Sequence, residues 1–302
     1  MQTDRAGRIG VLLAVTAAVS YGVTVVIGRD LADAGFGAAS ALGVRFLCSG
    51  LLLAVVLRVR RTPIVPSASK VGVGLALGLV YAFEATLFFS ALERMTAGAT
   101  SLVFYVYPAI VTVLEILRGR ERVHRATIVA LGLSMTGTAI VVAAGSDVSV
   151  TAAGVVCALI AAVSFAVYLV IGRNIGTDTD PMTLACWVAV GAGVSNLVNG
   201  AVTSSLVDVS SRAVEMVAYG AATAIAFTMM FEALRRIGAA RVAVVMTLEA
   251  VSSVVLGAAF LGESITFVQA IGGAAVLTAA IVIALSRTEP ITEAAGAPAA
   301  GT

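Results

Sequence analysis

Apolar runs of about twenty residues, separated by short polar segments, recur ten times along the chain. A helix rising ~1.5 Å per residue needs about 20 such residues to cross a ~30 Å hydrocarbon core, so each run predicts one spanning helix. The runs extend from Arg8 to Gly28, Phe36 to Leu57, Val71 to Leu92, Ala97 to Leu117, Ala126 to Ala144, Ala152 to Gly172, Met182 to Val202, Ala213 to Leu234, Ala239 to Leu261 and Ile265 to Leu285. The connections are too short to hold a separate soluble domain. Beyond the last run, the tail from Ser286 to Thr302 is rich in Pro, Ala, Gly and Thr and is expected to be disordered.

The pattern repeats. Ala17 to Leu31 (AAVSYGVTVVIGRDL) and Ala161 to Ile175 (AAVSFAVYLVIGRNI) lie 144 residues apart and are identical at nine of fifteen positions. A second pair, Ala91 to Glu121 and Ala233 to Glu263, aligns at an offset of 142, matching ALER with ALRR and a glutamate at each far end. The chain therefore divides into a first five-helix repeat (8–144), a second (152–285) and the tail (286–302). An odd number of spans per repeat inserts the second copy upside down. The fold class predicted is an all-α integral membrane protein of ten transmembrane helices in two inverted-topology repeats, an arrangement that points first to a transporter.

Composition agrees. Hydrophobic residues make up 60% and charged residues 12%, with a mean hydropathy of +1.05, whereas soluble domains carry about 25% charged residues. Cys48, Cys157 and Cys186 each lie inside an apolar run without a partner at metal-ligand spacing, so neither a disulfide framework nor a metal site is indicated. The net charge of +2 says less than its placement. Fifteen of the 19 basic residues fall on the side of the N-terminus, three (Arg29, Arg94 and Arg212) on the other, and Arg45 within a span. Basic residues concentrate in cytoplasmic loops, so both termini are expected to be cytoplasmic. Arg5 and Arg8 ahead of the first run imitate a signal peptide, but its mid-chain twin marks it as a retained span.

Further residues carry a family resemblance: Ser20-Tyr21 with Gly28-Arg29 in the first span, Ser164-Phe165 with Gly172-Arg173 in the sixth, and Arg45-Phe46-Leu47 in the second. Tyr107-Pro108, Leu248-Glu249 and the closing Gly119 to Glu121 and Gly262-Glu263 complete the set. Over Ile9 to Leu285 the chain resembles the EamA-type branch of the drug/metabolite transporter superfamily. The departures are Tyr21, where the family often has Trp, and Ala250 after Glu249, where Pro is frequent. The resemblance implies an inner (plasma) membrane carrier that has its substrate cavity between the halves, exports amino acids or related metabolites, and keeps its fifth and tenth spans at the periphery.

Ionisable groups deep in a membrane cost about 2.5–3.5 kcal/mol on insertion scales, so each needs a reason. Three lie deep: Arg45, Glu84 and Glu249. Arg45 sits about 13 Å along its helix from the outer end, and its counterpart near Ala189 is uncharged. It either anchors a substrate carboxylate, joins a gating ion pair, or makes a structural contact to a carboxylate or helix-end carbonyls. One glutamate can neutralise it, leaving the other to exchange a proton during transport, so proton coupling is a candidate. Glu93, Glu115 and Glu232 lie near span ends, where snorkelling or pairing with nearby arginines explains them. Pro108 removes a mid-span donor, a structural kink that frees the Phe104 carbonyl. Tyr21, Tyr81, Tyr105, Tyr107 and Phe165, with Phe83 and Tyr168, are candidates for an aromatic cavity wall suited to apolar or aromatic amino acids, or for ordinary packing.

Other classes fare worse. All seven aspartates lie outside the spans and the single histidine, His124, lies in an Arg-rich loop, which argues against an intramembrane enzyme. Lys70 is the only lysine and no phosphate-binding loop motif exists, so no nucleotide cofactor is called for. The expected partners are a small-molecule substrate and the lipid bilayer, not nucleic acid, for a monomer or homodimer. The function expected is a secondary transporter exporting small metabolites, foremost amino acids. The alternatives are an exporter of lipophilic cations or drugs and a channel-like facilitator.

Overall fold

Where the chain enters an apolar run, a polar side chain takes up the free amides of the first turn. Ser67 accepts from Lys70 N, Asp180 from Thr183 N with Pro181 at the first helical position, and Thr266 forms a reciprocal capping box with Gln269. From these starts the runs continue as helices, because only a helix satisfies every backbone group of a span within itself. The computed structural model describes residues 2–95, 97–120, 124–144, 150–176, 179–260 and 265–286. Glu121, Arg122, Leu261, Gly262-Glu263, Arg287 and the rest of the tail lie outside the described residues.

The helices are α1 (Gln2–Asp33), α2 (Ala38–Val59), α3 (Ala68–Leu92), α4 (Ala97–Phe104), α5 (Tyr107–Leu117), α6 (Arg125–Ala143), α7 (Ala152–Gly176), α8 (Pro181–Val202), α9 (Ala213–Ile237), α10 (Ala239–Met246), α11 (Leu248–Phe260) and α12 (Phe267–Leu285). They form ten segments long and apolar enough to span a membrane, the fourth built from α4 and α5 and the ninth from α10 and α11. The chain is thus an all-α membrane protein of two inverted five-span repeats. We call the end of the bundle where α1 begins the N-terminal face and the opposite end the far face.

The two broken spans break at equivalent places for different reasons. In the fourth, Pro108 offers no N–H and the helix interrupts at Tyr105 and Val106, with Val106 N turning to Val103 O. In the ninth, Ala250 stands where Pro108 would be. There the Thr247 hydroxyl takes the Val244 carbonyl at 2.7 Å, and its N–H also turns to that carbonyl, three residues back. The Tyr107 hydroxyl donates to the Ala243 carbonyl at 3.4 Å, linking the two breaks.

The heaviest packing runs between repeats. α1 lies against α9 and α11, α2 against α8 and α9, and α3 against α7 and α8, so the halves interlock. α6 and α12 pack on one another to one side, at Gly137 and Gly272. A Cβ on either would lie 2.7 Å from the other's carbonyl oxygen, so the small residues set the helix separation. Between the halves sits an aromatic core. The Tyr81 ring lies 5.1 Å from Phe227, 5.2 Å from Tyr168 and 5.5 Å from Phe46. Leu12, Leu51, Leu79 and Phe83 instead point outward, an apolar exterior that suits lipid.

Candidate functional site

On α3, the positions 81, 84, 85, 88, 89 and 92 fall on one helical face, and that face looks into a cavity of about 360 Å³ between the halves. The last turns of α1 (Gly28, Arg29, Ala32), Phe36 just before α2, the start of α2 (Ala38) and the end of α3 (Leu92) line its mouth, so it opens toward the far face. Tyr21, Arg45, Tyr81, Glu84, Phe165 and Glu249 line it more deeply. Toward the N-terminal face it ends, because α5 and α10 pack together there, whereas α4 and α11 lack comparable packing at the far face.

Arg45 is buried, with 6% exposure, and none of its hydrogen bonds among the described residues goes to a carboxylate. Its Nε donates to Thr223 Oγ1 at 2.8 Å and its Nη1 to the Tyr219 hydroxyl at 2.9 Å. The Thr223 hydroxyl spends its own proton on the Tyr219 carbonyl, at 2.8 Å, which leaves its lone pairs aimed at the arginine. The guanidinium carbon lies 4.6 Å from the Phe46 ring centroid and 4.5 Å from that of Tyr219, within range for cation–π attraction. Hydroxyls and ring faces thus hold the cation in place without cancelling its charge.

Glu84 and Glu249 reach the same cavity from opposite repeats. Glu84 feels both Glu249 and Arg45 electrostatically, and neither glutamate side chain has a hydrogen bond among the described residues. One positive and two potentially negative groups therefore face one aromatic-walled space. Glu249 sits in the first turn of α11, directly after the break, at the repeat position of Tyr107.

Sequence candidates divide here. Arg45, Glu84, Glu249, Tyr21, Tyr81 and Phe165 meet on the cavity. Tyr105 and Tyr107 are not on its lining, and Tyr107 is 1% exposed and engaged with α10. Phe83 faces outward and Tyr168 is fully buried. The span-end glutamates pair with arginines: Glu115 with Arg173, Glu232 with Arg235 and Arg236, and Glu93 with Arg94. Sequence reasoning missed Tyr219 and Thr223. Their signal was present, two polar residues four apart on one face of an apolar span.

Residues 8–143 and 152–285 each match the EamA-like transporter family. No curated protein matches the chain. Among solved structures, a crystal structure titled only as that of a protein superposes with a TM-score of 0.77, covering 90% of this chain and 95% of its own, at 19% identity. At that identity the likeness speaks to the fold alone.

Proposed function

The chain belongs to the EamA-like transporter family, and we propose that it is a secondary carrier exporting amino acids across the inner (plasma) membrane by alternating access. The excess of basic residues at the N-terminal face makes that face cytoplasmic. The cavity is then open outward and sealed inward, which supports a carrier over a continuous pore.

One observation carries the substrate class: Arg45 and two glutamates share a single aromatic-walled cavity. A zwitterion satisfies that set. Its carboxylate meets the free donors of Arg45, its ammonium meets Glu84 or Glu249, and its side chain packs on Phe46, Tyr81 and Phe165. The volume falls within the roughly 300–1,000 Å³ typical of small-molecule sites. The glutamate shared between ammonium and proton supplies coupling: a proton from outside displaces the departing substrate, and substrate displaces the proton at the cytoplasmic side. Two carboxylates without hydrogen-bond partners also favour a second reading, export of lipophilic cations, against which Arg45 on the same lining stands.

The test is counterflow of a labelled amino-acid panel into proteoliposomes, with and without an imposed pH gradient. Saturable, gradient-sensitive counterflow of apolar or aromatic members is the expected result. Counterflow of lipophilic cations alone moves the assignment to the second reading.

A further inference from the structure

The repeat correspondence pairs the outer cavity residues of the first and third spans with residues on the sealed side. In the first span, Thr24, Val25, Gly28 and Arg29 line the cavity, and their counterparts at an offset of 144 are Tyr168, Leu169, Gly172 and Arg173. In the third, Glu84, Ala85, Phe88, Phe89 and Leu92 line it, and at an offset of 142 they correspond to Ala226, Phe227, Met230, Phe231 and Leu234. Tyr168, Leu169, Ala226, Phe227, Met230, Phe231 and Leu234 are all 0% exposed. The stretches that line the cavity on one side have repeat counterparts packed shut on the other. The Tyr168 and Phe231 rings lie 5.9 Å apart, whereas their counterparts Thr24 and Phe89 both line the open cavity. Gly172 permits that closure, since a Cβ there would lie 2.8 Å from Phe231 Cε1.

Two features of the sealed side do not follow from symmetry. Glu115 is fully buried and one of its oxygens takes Arg173, while Oε1 has no hydrogen-bond partner among the described residues. Its counterpart in the ninth span is Gly257, so no carboxylate stands at the repeat-related position. The Tyr168 hydroxyl is also buried without a hydrogen-bond partner among the described residues. An orphaned hydroxyl in an apolar wall is costly, and one that reaches a partner in another state explains its presence.

Building on the carrier reading, we infer that the sealed wall is the cytoplasmic half of the transport path, held shut by Glu115–Arg173 and Tyr168–Phe231. When it opens, it exposes a vestibule of Phe227, Met230 and Leu234 that takes an apolar or aromatic substrate side chain, with the Tyr168 hydroxyl as its polar contact. Glu84 and Arg45 have no charged counterparts here, because Ala226 and Ala189 stand in their places. Substrate therefore passes the parted Glu115–Arg173 pair into an apolar vestibule and meets the charges of the binding site only at the shared deep position. The unmatched ion pair biases the resting protein toward the outward-open state.

The experiment replaces Cys48, Cys157 and Cys186 by alanine in the full chain and adds either Met230→Cys or Thr24→Cys. A membrane-impermeant, sulfonate-bearing methanethiosulfonate is then applied from each side of oriented vesicles. Met230→Cys is expected to react only from the cytoplasmic side, with Glu115→Gln raising that rate about tenfold or more and slowing Thr24→Cys from outside. The double Glu115→Gln/Arg173→Gln variant, which strands no charge, is expected to do the same if the single variant folds poorly. In counterflow, Tyr168→Phe is expected to raise the cytoplasmic half-saturation about fivefold and leave the external value unchanged. Met230→Cys that stays unreactive from the cytoplasm in both gate variants while counterflow proceeds overturns the gate. An unchanged cytoplasmic half-saturation in Tyr168→Phe overturns its substrate role. Counterflow absent for every amino acid, with Met230→Cys still opening to the cytoplasm, refutes the amino-acid reading and leaves the gate standing.

Discussion

Replacing Arg45 by glutamine removes a charge while leaving an amide within reach of the same hydroxyls. Of the five guanidinium N–H groups, one on Nε and one on Nη1 are engaged by Thr223 and Tyr219, which leaves three, enough to hold a carboxylate through two bonds. Charge-assisted hydrogen bonds contribute about 1.5–3 kcal/mol each. Taking the low end for two bonds in a hydrated cavity gives about 3 kcal/mol, or roughly a 150-fold rise in half-saturation at 1.4 kcal/mol per tenfold. The fold should survive, because Thr223 keeps its bond to the Tyr219 carbonyl and, among the described residues, no carboxylate hydrogen-bonded to Arg45 loses its partner. Stability is expected to fall by only about 1–2 kcal/mol. Initial counterflow rates against substrate concentration measure the first quantity and thermal unfolding the second. A folded Arg45→Gln protein whose half-saturation stays within about threefold of the wild type would refute the carboxylate anchor.

Three further outcomes follow from the geometry. Of Glu84→Gln and Glu249→Gln, the one that removes the coupling group should abolish gradient-driven uptake yet retain exchange, measured as proton-driven accumulation against counterflow in the same vesicles. Tyr107→Phe strands the Ala243 carbonyl and should lower stability by about 1–2 kcal/mol, while half-saturation changes little because Tyr107 is off the lining; a large rise in half-saturation would return Tyr107 to the site. Gly137→Leu drives a side chain into the Gly272 carbonyl and should cost about 1–3 kcal/mol by thermal shift, with counterflow per folded molecule preserved because neither helix lines the cavity.

The sequence alone determined the number of spans, their boundaries to within a few residues, the duplication and the inversion. Hydrophobic length is a local property, fixed by the thickness of a bilayer, and the odd count per repeat converts it directly into topology. It also singled out Arg45, Glu84 and Glu249, because charge in an apolar run is conspicuous wherever it points. Orientation about each helix axis was another matter. Tyr81 and Phe83 are two residues apart on α3, yet one faces the cavity and the other the exterior, and nothing in a run apolar on all sides says which face turns inward. The same ambiguity placed Tyr105 and Tyr107 among the cavity candidates. Tertiary structure decided the rest: the Tyr219 and Thr223 hydroxyls that hold Arg45, the proline-free break at Thr247, the Arg173–Glu115 pair and the side on which the cavity opens. All but the Thr247 break, which is local, depend on residues far apart in the chain meeting across the two repeats. In lipid, where apolar faces gain little by turning away from the solvent, packing shape and the pairing of a few polar groups set those meetings.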